Sequence, residues 1–114
     1  MKRIEAIIAS EKIGVVVEEL KKIGIGGLTI IDAKGWGKGK RSQMAGSRGT
    51  DRYIAELNTR NYIITIVDDS LSEKVISTIA DTAGTGSSGD GKIFVVAVED
   101  AIDIGSKQKG IHAI

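Results

Sequence analysis

Two hydrophobic periods alternate along this chain. Lys2 to Ala9 is rich in isoleucine, tolerates one carboxylate at Glu5, and reads as a strand. Ser10 stands where a helix N-cap is expected, and Ile13, Val16, Val17 and Leu20 follow at helical spacing. Glu18, Glu19, Lys21 and Lys22 fall on the opposite face, and Gly24 suits the C-cap. Leu28 to Ala33 is a second β-prone run, and Thr59 to Val67 alternates with β-branched residues as a third. Ser70-Leu71-Ser72-Glu73 has the form of a capping box, so Ser70 is expected to cap a second helix with Val75, Ile76, Ile79 and Ala80 as its buried stripe. Lys92 to Val98 supplies a fourth strand.

The order is βαβ, a long connection, then βαβ again. That duplication predicts an α+β class and a ferredoxin-like double βαβ sandwich with an antiparallel sheet, as one domain over residues 1–114. Two helices cover only one face of such a sheet. The strands are apolar on both, with Ile4, Ala6 and Ile8 against Ile7, and Tyr62, Ile64 and Ile66 against Ile63 and Val67. A greasy second face predicts a homo-oligomer packed sheet to sheet. The connection from Gly35 to Glu56 has no apolar periodicity, and a stretch that long is expected to be functional, mobile, or a passive insertion.

Composition narrows the classes. At 41% hydrophobic and 27% charged residues the chain is expected to be globular and not disordered. The net charge of +1 gives no global pull toward nucleic acid or membrane. Charge is nevertheless uneven, since Lys38, Lys40, Arg41, Arg48 and Arg52 crowd the long connection against only Asp51 and Glu56. Without cysteine there are no disulfides or thiolate sites. The N-terminal apolar run is too short for a signal peptide or a membrane span, so a cytoplasmic location is expected. His112 reads as a solvated surface residue, and Asp68-Asp69 as carboxylates favoured at a helix start. No nucleophile–base pair stands out, which weighs against an enzyme.

The chemistry concentrates in Gly84 to Lys92, "GTGSSGDGK". From Gly86 it spells G-x-x-x-x-G-K, the Walker A pattern up to a last position that is Ile93 where Mg²⁺ needs a hydroxyl. A P-loop also needs a strand before and a helix after, and here the order is reversed. Two readings remain: an Asp-Gly turn, or a nest in which closely spaced glycines let N–H groups converge on an anion beside Lys92. Trp36, between two glycines, is open between stacking on a base or partner and anchoring the root of the long connection.

At these residues the chain resembles the PII nitrogen-regulatory signalling family. Thr85 to Val95 is similar to that family's C-terminal signature, and "MKRIEAII", "IGIGGLTI", "KGWGKGK" and "VEDAIDI" match in order along nearly the whole chain. The resemblance implies a homotrimer that binds ATP or ADP in the clefts between subunits. It also implies a mobile loop, about 36–56, through which a transporter or enzyme of nitrogen metabolism, for example an ammonium channel, is regulated. By position, Ile7 and Thr29 would lie near the adenine, and Gly35, Gly37 and Lys38 at the loop base. Gly86, Ser87, Ser88, Gly89, Asp90, Gly91 and Lys92 would form the cradle, with Lys92 on phosphate. Arg48 matches the arginine that plugs a channel pore in channel-binding members, flanked here by Lys40, Arg41 and Arg52.

The chain also departs from the pattern. Arg52 replaces the tyrosine that some members modify, with Tyr53 out of register. Gly39 replaces a glutamine that holds Mg²⁺, and Thr59 a lysine that meets the 2-oxoglutarate carboxylate, so the resemblance stops short of Mg²⁺ and 2-oxoglutarate sensing. Ser87, Asp103 and Gly105 replace phosphate-side cations, which should weaken ATP more than ADP or AMP. Lys107 and Lys109 offer substitutes from a tail expected to be flexible. The alternative reading is a ferredoxin-like nucleic-acid-binding module, for which only Tyr62 and Phe94 offer stacking surfaces in the strands.

Overall fold

A computed structural model describes residues 1–37 and 57–114, together with the backbone of two short strands in the intervening segment. The strands are β1 (Lys2–Ala9), β2 (Thr29–Gly35), β3 (Gln43–Ala45), β4 (Arg52–Ile54), β5 (Asn58–Val67) and β6 (Gly91–Ala97). The helices are α1 (Ile13–Ile23) and α2 (Asp69–Ala83). β2, β5, β1 and β6 form one four-stranded sheet in that order, each neighbour antiparallel. This is the ferredoxin-like arrangement, since each βαβ unit places its two strands apart and the other unit's strand inserts between them. β3 and β4 pair with each other as a separate hairpin. The long connection is therefore not without regular structure, as its composition suggested. The positions Lys38, Lys40, Arg41 and Arg48 lie outside the described residues.

The core lies between the helices and one sheet face. Ile4, Ala6, Ile8, Ile63 and Val67 point from β1 and β5 toward Val16 and Leu20 of α1 and Val75, Ile79 and Ala83 of α2. The period of two in the strands and the helical stripes are used as the sequence implied, with one exception. Ala80, expected in the buried stripe of α2, is exposed, and Ala83, one turn beyond Ile79, is buried instead. Thr65 shares this buried face because its hydroxyl donates to the Gly27 carbonyl at 2.7 Å. Asn61 Nδ2 likewise donates to Asp32 Oδ1 at 3.0 Å across β5 and β2. On the outer face of α1, Lys21 and Lys22 pair with Glu18 and Glu19. Gly24 ends α1 in the left-handed region at φ 85°, where a side chain would be strained.

Both helix starts differ from expectation. The α2 cap is Asp68, whose carboxylate accepts from the Ser70 amide at 3.0 Å and the Ser70 hydroxyl at 2.6 Å. Ser70 is therefore the second helical residue and not the cap. The capping-box spelling misplaced the start because Asp at position 68 reaches the same orphan amides and adds a charge favoured by the helix dipole. The Ser70 hydroxyl, ahead of the amide, holds the Asp68 carboxyl below its ordinary value. Ser10 opens a 3₁₀ turn over Ser10–Lys12 and makes no cap bond; α1 begins three residues later. Its Oγ is buried without a hydrogen-bond partner among the described residues. Asp68→Ala is expected to lower Tm by several degrees and Ser70→Ala by less, read in parallel thermal melts. The reverse ranking would return the cap to Ser70.

The other sheet face carries Arg3, Glu5, Ile7, Ile31, Tyr62, Ile64, Ile66, Phe94 and Val96, which the strand registers place together. Ile31, Phe94 and Val96 are 46%, 47% and 39% exposed, so this apolar surface is uncovered in a single chain. A polar cluster interrupts it at β1 and β5. Arg3 Nε pairs with Glu5 at 2.9 Å, and Tyr62 donates to the same carboxylate, which raises the phenol's pKa. After β6 the chain folds back on itself, with Ile102 bridged to Lys109 and the Asp103 carboxylate accepting from Ser106 at 2.8 Å. The tail expected to be flexible is a hydrogen-bonded turn. Among the described residues, no helix is long and apolar enough to cross a membrane.

Candidate functional site

The glycine stretch forms the loop between α2 and β6, so a helix does precede it and a strand does follow. The P-loop order is excluded directly. Within the loop, Asp90 turns its carboxylate inward. Oδ2 accepts from the amides of Thr85, Gly86 and Ser87 at 2.6, 2.9 and 3.1 Å, and Oδ1 accepts from the Thr85 hydroxyl at 2.6 Å. The Thr85 hydroxyl foremost, then these amides, hold the Asp90 carboxyl below its ordinary value. The Gly89 amide donates to Ser87 Oγ and the Asp90 amide to the Ser87 carbonyl, both at 3.2 Å.

The nest implied by the glycine spacing therefore exists, and the chain's own carboxylate occupies its first three amides. Asp90 bonded to nearby amides and Gly91 at positive φ are the turn reading; the amides also converge, as the nest reading expected, but on a carboxylate of the chain itself. A group whose pKa is lowered on folding contributes stability that is present above its ordinary value of about 3.9 and lost as pH falls through the lower folded value. The amide resonances of Gly86 and Ser87 should accordingly titrate with a midpoint below that of the same stretch in an unfolded peptide. A midpoint at or above the ordinary carboxylate range would contradict this geometry.

Gly91 follows, at φ 124°, and opens β6 against Ile8 of β1. A Cβ here would lie 1.9 Å from the Ile7 carbonyl oxygen, so only glycine lets the loop join the sheet this closely. That contact brings Lys92 directly opposite Ile7 on the uncovered sheet face. On the far side, β2 ends at Gly35, and Trp36 and Gly37 carry the chain toward the long connection.

Between these two walls is a cleft of about 250 Å³. Its apolar surface comes from Ile7, Ala33, Trp36 and Phe94, and its cations are Lys34, Arg60 and Lys92. Among the described residues no carboxylate pairs with any of the three. Of the residues expected from sequence, Ile7, Gly35, Gly37, Ser88, Gly89, Gly91 and Lys92 line this one cleft. Gly86, Ser87 and Asp90 shape the loop without lining it. Thr29 stands at the other end of β2, opposite Ile64, and Lys38 lies outside the described residues.

Sequence reasoning passed over Lys34, Asn58 and Arg60, and named Phe94 only as a stacking surface for the nucleic-acid alternative. The signal for Arg60 was present: in the β5 alternation it occupies the same face as Tyr62, Ile64 and Ile66, where a lone cation interrupts an apolar stripe. Only the pairing of Arg60 with Ala33 and Ala9 shows that this cation stands on the same face as the residues of the cleft. Trp36, open between two roles, lines the cleft while 66% exposed.

An apolar cleft rimmed by a glycine loop and by three cations without carboxylate partners among the described residues, on a ferredoxin-like sheet, defines the class as a small α+β protein with a mixed apolar and basic cleft. Comparison with known proteins gives the family. A family model described as "Nitrogen regulatory protein P-II" matches residues 1–108. The chain is 41% identical to the nitrogen regulatory protein P-II of Rhodospirillum rubrum and 41% identical to that of Azospirillum brasilense, in each case over the full length of both chains. It is also 34% identical to the nitrogen regulatory protein GlnK2 of Haloferax mediterranei, covering all of this chain and 91% of that one. The chain belongs to the P-II family of nitrogen regulatory proteins, as the motif at Thr85 to Val95 implied.

Proposed function

We propose that this protein binds an adenine nucleotide in the cleft between the glycine loop and the end of β2, and signals its occupancy to a partner protein through the 36–56 segment. One observation carries the reading: Gly35, Trp36 and Gly37 are at once a wall of the cleft and the root of that segment. A ligand against this wall bears directly on where the segment leaves the sheet. The residues present suit such a ligand, with Ile7 and Ala33 as a floor for a flat ring and Lys92 beside the loop as a phosphate contact. One protomer supplies only part of the enclosure a nucleotide needs, since ligand pockets usually span about 300–1,000 Å³. A second copy packed on the exposed apolar face would complete it, which agrees with a trimer whose sites lie between subunits.

The regulated partner is proposed to be a transporter or enzyme of nitrogen metabolism in the cytoplasm or at its membrane, with an ammonium channel as the first candidate. Ser87 and Asp103 support a preference for fewer phosphates. Both are engaged in local hydrogen bonds, and neither brings positive charge to the ligand. Calorimetric titration with ATP, ADP and AMP tests the reading, with saturable binding expected for at least ADP. No heat from any of the three at millimolar concentration would overturn it. Adding Mg²⁺ and 2-oxoglutarate to the ATP complex is expected to give no further signal, because Gly39 and Thr59 provide neither a metal ligand nor a cation.

A further inference from the structure

The glycine loop contains an anion-binding nest that is already filled. Three consecutive amides, Thr85 to Ser87, converge on one carboxylate oxygen of Asp90, and the Thr85 hydroxyl takes the other. Converging amides of this kind are what a phosphate oxygen would otherwise meet. With these donors consumed, the loop presents Ser88, Gly89 and Lys92 to the cleft, while Thr85, Gly86 and Ser87 line none of it. Asp90 also immediately precedes Gly91, whose tight approach to Ile7 sets the start of β6. The carboxylate thus ties the front of the loop to the residue that fixes its end.

From this geometry we infer that Asp90 is a positioning residue: an internal counter-anion that closes the Thr85–Ser87 nest and so holds Ser88, Gly89 and Lys92 toward the ligand. The inference rests on the nucleotide reading for its consequence, and on the hydrogen bonds alone for its cause. It also assigns anion recognition to the outward half of the loop and the side-chain cations. The inward amides take no part.

Two variants of the full-length protein separate the possibilities. In Asp90→Ala the emptied nest should accept a small carboxylate, so sodium formate is the probe. Formate is expected to shift the Thr85, Gly86 and Ser87 amide resonances in Asp90→Ala and to leave them unmoved in the native protein. ADP affinity should fall roughly tenfold or more in Asp90→Ala, since the donors that share this one carboxylate lose their acceptor together and the loop loses its tie. Millimolar formate should restore much of that loss, and chloride at equal ionic strength should not. Asp90→Asn keeps an oxygen for the three amides and an NH₂ for the Thr85 hydroxyl to accept from, and should retain ADP affinity within a few-fold.

Nucleotide binding by Asp90→Ala equal to or tighter than the native protein would overturn the inference, because a ligand phosphate would then be using the nest itself. Absence of formate-dependent shifts in a folded Asp90→Ala would overturn it as well. If Asp90→Ala does not fold, loss of ADP binding by the folded Asp90→Asn has the same force. If the native protein binds no adenine nucleotide, the functional reading fails, while the formate shifts still decide the role of Asp90.

Discussion

Replacing Gly91 by Ala is expected to unseat the start of β6, remove ligand binding in the cleft and lower stability by about 3 kcal/mol or more. Two penalties coincide there. The backbone sits at φ 124°, outside the range that an L side chain adopts readily, and the added methyl would be placed 1.9 Å from the Ile7 carbonyl oxygen. The clashing atom is main chain in the central β1 strand, so no side-chain rotation relieves it. β6 must move away, and Lys92 with it. Gly89→Ala is the matched control, since a Cβ at that position meets only Ser87 Oγ at an ordinary 3.8 Å. Thermal unfolding and nucleotide titration of the two variants check this together. A Gly91→Ala protein that melts like Gly89→Ala and binds like the native protein would show that the loop does not depend on the close approach to β1.

Lys92→Ala should leave the fold intact and weaken ADP or ATP by roughly 10- to 150-fold, the loss of one charge-assisted hydrogen bond of about 1.5–3 kcal/mol. Lys92 is exposed, lies on the uncovered face opposite Ile7, and has no carboxylate partner among the described residues. Its removal therefore frees no buried acceptor and should not change Tm. The salt dependence of binding should flatten in parallel, because one fewer cation meets the ligand. Affinity reduced by less than roughly threefold, the scale of an ordinary exposed ion pair, would mean that the phosphates lie elsewhere. Arg60→Ala provides the comparison: a larger loss there than at Lys92 would move the anionic end of the ligand to the β5 side of the cleft.

The elements that were legible in the sequence are those with strong internal periodicity. β1, β5 and both helix stripes follow from alternation or i, i+3, i+4 spacing, because each must bury one face whatever its partners. The family motif was legible for a related reason. Gly91 and Lys92 are constrained by the backbone around them, so a short stretch of spelling carries the geometry with it. Helix starts were less legible. Asp68 and Ser70 are both good caps two residues apart, and the choice depends on where β5 releases the chain.

The cleft was only half legible. Ile7 and the glycine loop could be found from spelling, whereas Arg60 and Phe94 enter by strand register, which joins residues far apart in sequence. The same holds for the Asp90 nest. Glycine spacing announced converging amides, yet a carboxylate five residues from Thr85 could face outward or inward with equal ease along the chain.

The sequence by itself determined the two βαβ units, the apolar second sheet face, the position of the long connection and the family. These depend on local period and on which residues tolerate water. Only the tertiary structure decided the strand registers that place the cations of three strands around one cleft. It alone decided that the nest is closed by the protein's own carboxylate. Both are matters of where distant backbone segments approach one another, and an extended chain leaves that distance undefined until the sheet is formed.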